Sequence, residues 1–184
     1  MAATPRGARP GAIGATAPSR TDHDRNALIA ATVAQEARGG HLGLVLSERV
    51  EHCHLMASVL AEIAPDVLAA VLTGAASGKR RSETLEALRD GRLRVLFATK
   101  LADEGLDVPA LDRPFLTTGG RAAGRVAQQL GRAMRSAAGK RVAVVFDFCD
   151  WRVGVLAAQA KARVRDVYVP LGARVMRGEE AMPA

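Results

Sequence analysis

The stretch that decides the fold is Val95–Arg135, VLFATKLADEGLDVPALDRPFLTTGGRAAGRVAQQLGRAMR. It opens on an apolar run ending in Ala98-Thr99, the pattern of a buried strand, and passes into the polar loop Asp103-Glu104-Gly105-Leu106-Asp107. Phe115 to Thr118 reads as another short strand. Beyond the Gly119-Gly120 turn, a helix carries Arg125, Gln128, Arg132 and Arg135. At about 100° per residue those four side chains share one stripe, with Val126, Leu130, Ala133 and Met134 on the other side. From Arg113 to Arg141 there are seven Arg and Lys and no Asp or Glu. Ordinary helical surfaces mix both signs, so a helix with one apolar face and one guanidinium stripe is suited to meet an anion.

Working outward, strands alternate with helices. Upstream, a helix is expected from Thr21, capped by Thr21 or Asp22, with Leu28, Ile29, Thr32 and Val33 on its apolar face and Gly39-Gly40 as its stop. Residues 41–47, HLGLVLS, read as a strand buried on both faces. Arg49 to Ala64 reads as a helix with Cys53, Met56, Val59, Leu60 and Ile63 inward, ended by Pro65. His52 and His54 flank Cys53, but residues two apart on a helix point in different directions, so both are expected as surface histidines and no metal site is assigned. Val67 to Leu72 is strand-like, Ser82 to Arg89 helical, and Arg92 to Thr99 a strand. Downstream, Arg141 to Phe148 is a further strand. Trp151 to Arg165 is expected as a helix with Val155, Leu156 and Ala160 inward and a basic outer face. The alternation predicts an α/β domain with a mainly parallel sheet flanked by helices.

The segment TGAASGKRR, between strand and helix, imitates a phosphate-binding loop. A Walker A loop needs four residues between its glycine and the Gly-Lys pair, then Ser or Thr for magnesium. Here Gly74 and Gly78 enclose three, and Arg80 follows Lys79 where the hydroxyl belongs.

Composition sets the outer bounds. The 184 residues suffice for one domain of ordinary size. With aromatics at 3%, Ala, Val and Leu must build the core. A net charge of +7 and a pI near 10.4 favour an anionic partner. The two cysteines, Cys53 and Cys149, sit in apolar surroundings and point to buried thiols and a cytoplasmic setting. No apolar run approaches the length of a membrane span, and no apolar leader segment opens the chain. Residues 1–20 read as a flexible basic arm or linker, 21–170 as the folded domain and 171–184 as a tail.

Four of these stretches carry a family likeness. ATKLADEGLDVP resembles motif V of the superfamily-two helicases, and Gln128-x-x-Gly131-Arg132-x-x-Arg135 resembles their motif VI, in the family's order. LVLSERVEH resembles motif IV, and Gly74 with Arg81 resembles the family's strand–glycine–arginine pattern. The likeness, to DEAD/DEAH-type and type III restriction-type helicases, covers about residues 25–170 and only the second of the two RecA-like lobes of such enzymes. It implies a single RecA-like domain acting as the C-terminal lobe of an ATP-dependent helicase. Arg132 and Arg135 would be arginine fingers, Gly105, Asp107 and Gln128 would face the nucleotide, and Ser47, Arg49, Arg81 and Thr99 would face a nucleic-acid backbone. DNA is expected ahead of RNA. ATP would be shared with a first lobe in cis or trans, and that lobe would hold Mg2+, because no Walker A or B sequence occurs here. The chain is thus expected to be a fragment, a split subunit or a degenerate remnant, inactive as an ATPase alone. Two alternatives stand beside this reading, a noncatalytic nucleic-acid-binding domain and a small P-loop phosphotransferase using Lys79.

Overall fold

The computed structural model describes residues 8–9, 23–99, 111–117, 144–150 and 153–176. In chain order the elements are β1 (Ala8–Arg9), α1 (His23–Arg38), β2 (Gly43–Ser47), α2 (Val50–Ile63), β3 (Ala69–Leu72) and α3 (Gly78–Arg89). They continue with β4 (Val95–Thr99), β5 (Arg113–Leu116), β6 (Phe146–Asp147), β7 (Cys149–Asp150) and α4 (Gly154–Arg163), which runs into a π-helical turn over Val164–Tyr168.

Five strands form one sheet in the order β3-β4-β2-β5-β6, every neighbouring pair parallel. Parallel neighbours need crossovers, which α2 and α3 supply on the β2-to-β3 and β3-to-β4 paths. All five residues of β2 are buried, as a central strand covered on both faces demands. Its side chains alternate between two cores. Val45 joins Val95, Phe97 and Phe115 under Ile29 and Val33 of α1 and Met56 and Leu60 of α2. Leu44 and Leu46 join Leu72, Leu96 and Leu116 under Leu88 of α3 and Tyr168. Gly43 lets β5 come close, since a Cβ there would meet the Phe115 ring at 3.2 Å. Phe115 in turn stacks on Phe146, ring centres 4.8 Å apart.

Several expected boundaries shift, for identifiable reasons. The helix expected from Ser82 starts at Gly78, because Ser77 caps it by accepting the Arg80 N–H at 3.3 Å. The strand expected at Phe115–Thr118 is Arg113–Leu116. Arg113 and Thr117 donate their N–H groups to Leu42 and Leu46 of the β2 segment, so Pro114 turns its donorless nitrogen away from that ladder and is tolerated inside the sheet. The strands expected at Val67–Leu72 and Arg92–Thr99 are shorter, Ala69–Leu72 and Val95–Thr99; of the strand expected at Arg141–Phe148, residues 141–143 lie outside the described residues and the rest is strand at Phe146–Asp147. Ile63, expected inward, is 44% exposed beyond the last buried turn of α2, and Val155 is 63% exposed. The buried positions of α4 are Ala160 and Arg163, so its basic residues do not all face outward. His52, expected at the surface, is buried, whereas His54 is exposed. Within the N-terminal arm, Ala8–Arg9 pairs antiparallel with Cys149–Asp150; the rest of residues 1–20 lies outside the described residues.

Candidate nucleic-acid interface

In a parallel sheet every strand ends at the same edge, and the loops leaving that edge carry the working residues. Ser47 and Thr99 are register partners on β2 and β4. One residue beyond the paired ends Leu72↔Ala98 and Leu46↔Leu116 come Thr73 and Thr117. Four hydroxyl residues, Thr73, Thr99, Ser47 and Thr117, therefore stand side by side on consecutive strands, about 4.8 Å between neighbours. Side-chain alternation from Val71, Phe97, Val45 and Phe115 puts all four on the α1/α2 face.

Two members of this row, Thr117 and Ser47, are tied down. The Thr117 hydroxyl donates to the Leu46 carbonyl at 2.7 Å, and the buried Arg25 guanidinium of α1 donates to the Thr117 carbonyl at 2.7 Å. Ser47 Oγ lies 2.9 Å from His52 Nδ1 and accepts the Arg49 N–H at 3.3 Å. The other ring nitrogen of His52 lies 3.3 Å from Asn26 Oδ1 on α1. Since that amide oxygen can only accept, Nε2 carries the ring proton, and Nδ1 receives the Ser47 hydroxyl. Burial, then the nearby Arg25 and Arg49 charges, lowers the His52 pKa to about 4, so the ring is neutral at physiological pH.

Positive charge collects beside the row. Arg49, exposed, precedes the first turn of α2. Past Thr73 and Gly74 the chain enters α3, whose first turn holds Lys79, Arg80 and Arg81 and no acid. A helix N-terminus already carries partial positive charge, so three cations there oppose the dipole and make the turn strongly electropositive. Lys79 leans towards Glu83 at 3.9 Å. Gly74 and Gly78 have ordinary φ values and open space where a Cβ would sit. The loop thus lacks the left-handed glycines of a phosphate-cradling nest, a mark against the P-loop alternative.

Of the residues singled out from sequence, Ser47, Arg49, Arg81 and Thr99 fall along this edge: Ser47 is buried, Thr99 and Arg81 half-buried and Arg49 exposed. Gly105, Asp107, Gln128, Arg132 and Arg135, with Gly119 and Arg125, lie outside the described residues. Asn26, Arg25 and Thr117 were not singled out, and His52 was expected as a surface histidine. A signal for Asn26 existed, because residues 26, 29, 30, 33, 34 and 37 form one buried stripe with a polar residue at its head. Among the described residues no three His, Cys, Asp or Glu side chains gather as a metal site would require, and no helix is long and apolar enough to cross a membrane.

This parallel sheet with helices on both faces has the fold of a RecA-like helicase C-terminal domain. The chain belongs to the helicase conserved C-terminal domain family, whose model matches residues 24–137, more than half of it. It is 34% identical over 104 residues to putative helicase 22 of Sulfolobus islandicus filamentous virus, covering 56% of this chain but only 18% of that protein. The C-terminal domain of the DEAD-box protein Dbp5 superposes with a TM-score of 0.60 at 13% identity, covering 82% of this chain and 80% of that one. The Mycobacterium smegmatis helicase Lhr, bound to single-stranded DNA and AMP-PNP, gives 0.52 at 21% identity over 71% of this chain and 17% of its own. At such identities the structural likeness speaks to the fold.

Proposed function

We propose that the chain is the nucleic-acid-gripping C-terminal lobe of an ATP-dependent helicase or translocase. The observation that carries this reading is the register of Ser47 with Thr99 on adjacent strands, beside the acid-free, cation-rich first turn of α3. Hydroxyls and guanidinium groups in a line suit successive phosphates of one strand. Contacts of that kind position a backbone without reading bases, so binding would be indifferent to sequence and steeply salt-dependent. Arg49, after Ser47, and Arg81, in the first turn of α3, add charge beside the line. DNA is proposed ahead of RNA as the strand gripped.

The second half of the proposal concerns ATP. Gly105 would allow the backbone to approach the nucleotide, Asp107 would accept from the ribose hydroxyl, and Gln128 would link nucleotide to nucleic acid. Arg132 and Arg135, three positions apart in sequence, would extend guanidinium forks towards the γ-phosphate bound on a first RecA-like lobe, supplied in cis or in trans, which would also hold Mg2+. Membership of the helicase family and the order of its motifs support these roles.

Two measurements test the two halves. Measured as a function of salt, single-stranded DNA affinity should fall on Arg81→Ala, and the log–log salt slope should flatten by about one unit. With a first lobe present, Arg132→Ala and Arg135→Ala should each cut hydrolysis by about a thousandfold, whereas Arg125→Ala, on the same stripe, should matter far less. A salt-independent affinity would remove phosphate contacts from the account. Equal losses in all three helix variants would reduce the arginine helix to general charge.

A further inference from the structure

We propose that Asn26 and His52 form a reversible hydrogen-bond relay behind Ser47, with His52 as the residue that positions the serine hydroxyl for a nucleic-acid phosphate. The inference rests on the reading of Ser47 as a backbone contact and goes beyond it to the residues that set its polarity. A serine hydroxyl has one proton and two lone pairs. In the geometry described, the proton goes to His52 Nδ1 at 2.9 Å and one lone pair takes the Arg49 N–H at 3.3 Å. Ser47 therefore presents only an acceptor to the sheet edge. A phosphate also presents only acceptors, so contact in this state would set lone pair against lone pair.

The relay resolves the conflict by reversing. If the Asn26 amide turns over, its NH2 faces His52 Nε2 in place of the oxygen, and the two orientations occupy nearly the same space. The ring proton then resides on Nδ1 and is donated to Ser47 Oγ, and the serine proton points outward to the phosphate. Every donor keeps an acceptor, no heavy atom has to move far, and the ring exchanges one tautomer for the other without taking up a proton. Charging the ring instead would also free the serine proton. Burial and the Arg25 and Arg49 charges, which hold the His52 pKa near 4, oppose that route at neutral pH. Both relay residues are buried, at 4% and 6% exposure, away from bulk solvent.

The test reads the ring directly. The full chain with 15N-labelled histidine, free and saturated with a single-stranded deoxyoligonucleotide, should show His52 passing from Nε2–H to Nδ1–H on binding. An amide in place of the ring separates its two ends: His52→Asn keeps a polar group near the Nδ1 position facing Ser47, and His52→Gln keeps one near Nε2 facing Asn26. Ser47→Ala should weaken binding about tenfold, as loss of a hydrogen bond to a charged group does. His52→Gln should weaken it similarly and add nothing to Ser47→Ala, while His52→Asn should restore most of the loss. The relay is overturned if His52 stays Nε2–H in the bound state, or if His52→Gln binds like wild type while Ser47→Ala does not. If Arg81→Ala weakens binding and Ser47→Ala does not, Ser47 leaves the interface and the relay falls with it. If the chain binds no nucleic acid at all, the parent reading fails first.

Discussion

The two ends of the parallel sheet are built from opposite chemistry. At the carboxyl ends of the strands stand neutral hydroxyls, a neutral histidine and an amide, with cations beside them and no acid in the first turn of α3. At the amino ends the charges are matched and closed. Arg113 of β5 is paired with Glu36 of α1 and with Asp112 at 3.3 Å, and its Nη2 donates to His41 Nε2 at 2.8 Å. His41 Nδ1 donates to Asp112 at 2.7 Å, and the other oxygen of Asp112 receives the Leu42 N–H at 3.1 Å. Both rows sit at strand termini of one sheet, yet the amino end closes its charges into one part-buried network, while the carboxyl end lines up neutral hydroxyls beside the acid-free first turn of α3. A closed network of that kind secures the fold, whereas the carboxyl end is where the proposed phosphate contacts lie.

The largest expected effect tests where that division stops. Asp147 ends β6 at the carboxyl edge, but it is fully buried and accepts Arg163 bidentately at 2.9 and 3.0 Å and Tyr168 at 2.7 Å. Burial first, then the adjacent Asp147 carboxylate, pushes the Tyr168 hydroxyl far above its ordinary range. Asp147→Ala would leave a buried guanidinium without its counter-charge and should cost about 4 kcal/mol in urea unfolding. Its nucleic-acid affinity, measured where the variant is still folded, should be unchanged. Weaker binding at full folding would place Asp147 with the working residues after all.

The next effect is a pH dependence at the carboxyl edge. The folded pKa of His52 lies near 4, below its unfolded value of 6.5, so the unfolded chain binds the extra proton between those values. Stability is therefore full above about pH 6.5 and is lost as pH falls towards 4, by up to about 3 kcal/mol from this one group. Urea midpoints across that window should slope for wild type and flatten for His52→Gln. An equal slope in both would assign the acid sensitivity to other groups.

How far this was legible follows from what periodicity can see. The parallel α/β architecture, the central buried strand and the cores of α1 and α2 show as apolar runs and stripes, because burial of side chains is what those patterns encode. Ser47 and Thr99 could be named at strand ends, but their register could not, since pairing depends on strand order and the chain places β5 next to β2 across intervening elements. His52 was misplaced for a related reason. A polar residue on a buried face looks like a surface residue until its partners are known, and those partners, Ser47 and Asn26, come from two other elements. Arg163 was assigned to a basic surface because its acid lies sixteen positions upstream at a strand end. Long-range polar pairing was the invisible part in each case.

A moderate effect is expected at the amino edge. Arg113→Met removes the cation shared by Glu36 and Asp112, whose side chains are 21% and 14% exposed, so the acids left behind are partly relieved by water. A loss of about 2 kcal/mol is expected, between the values for buried and surface pairs. Oligonucleotide affinity and its salt slope should match wild type. A flattened slope would mean that this end too meets phosphate, and the contrast between the two ends would fail.

The smallest effect asks whether pairing alone, or pairing with burial, makes the amino end structural. Arg38, at the end of α1, and Asp66, before β3, are joined at that same end by two hydrogen bonds of 2.9 and 2.6 Å. Their geometry is as good as that of Arg113, and hydrogen bonding to Arg38 holds the Asp66 carboxyl below its ordinary pKa. A depressed carboxylate favours the fold above its unfolded pKa and loses that advantage as pH falls through the folded value. Here, however, both side chains are more than half exposed, at 51% and 56%. Water and salt screen the attraction, and holding two long side chains in one arrangement costs conformational entropy that offsets it. Arg38→Met should therefore leave the urea midpoint at neutral pH within error of wild type, and the acid limb below pH 4 should not shift measurably. Arg113→Met, with comparable bonds and less water, should move the midpoint clearly. If the two variants lost equal stability, burial would not be the deciding quantity, and the amino end would owe its role to charge pairing as such.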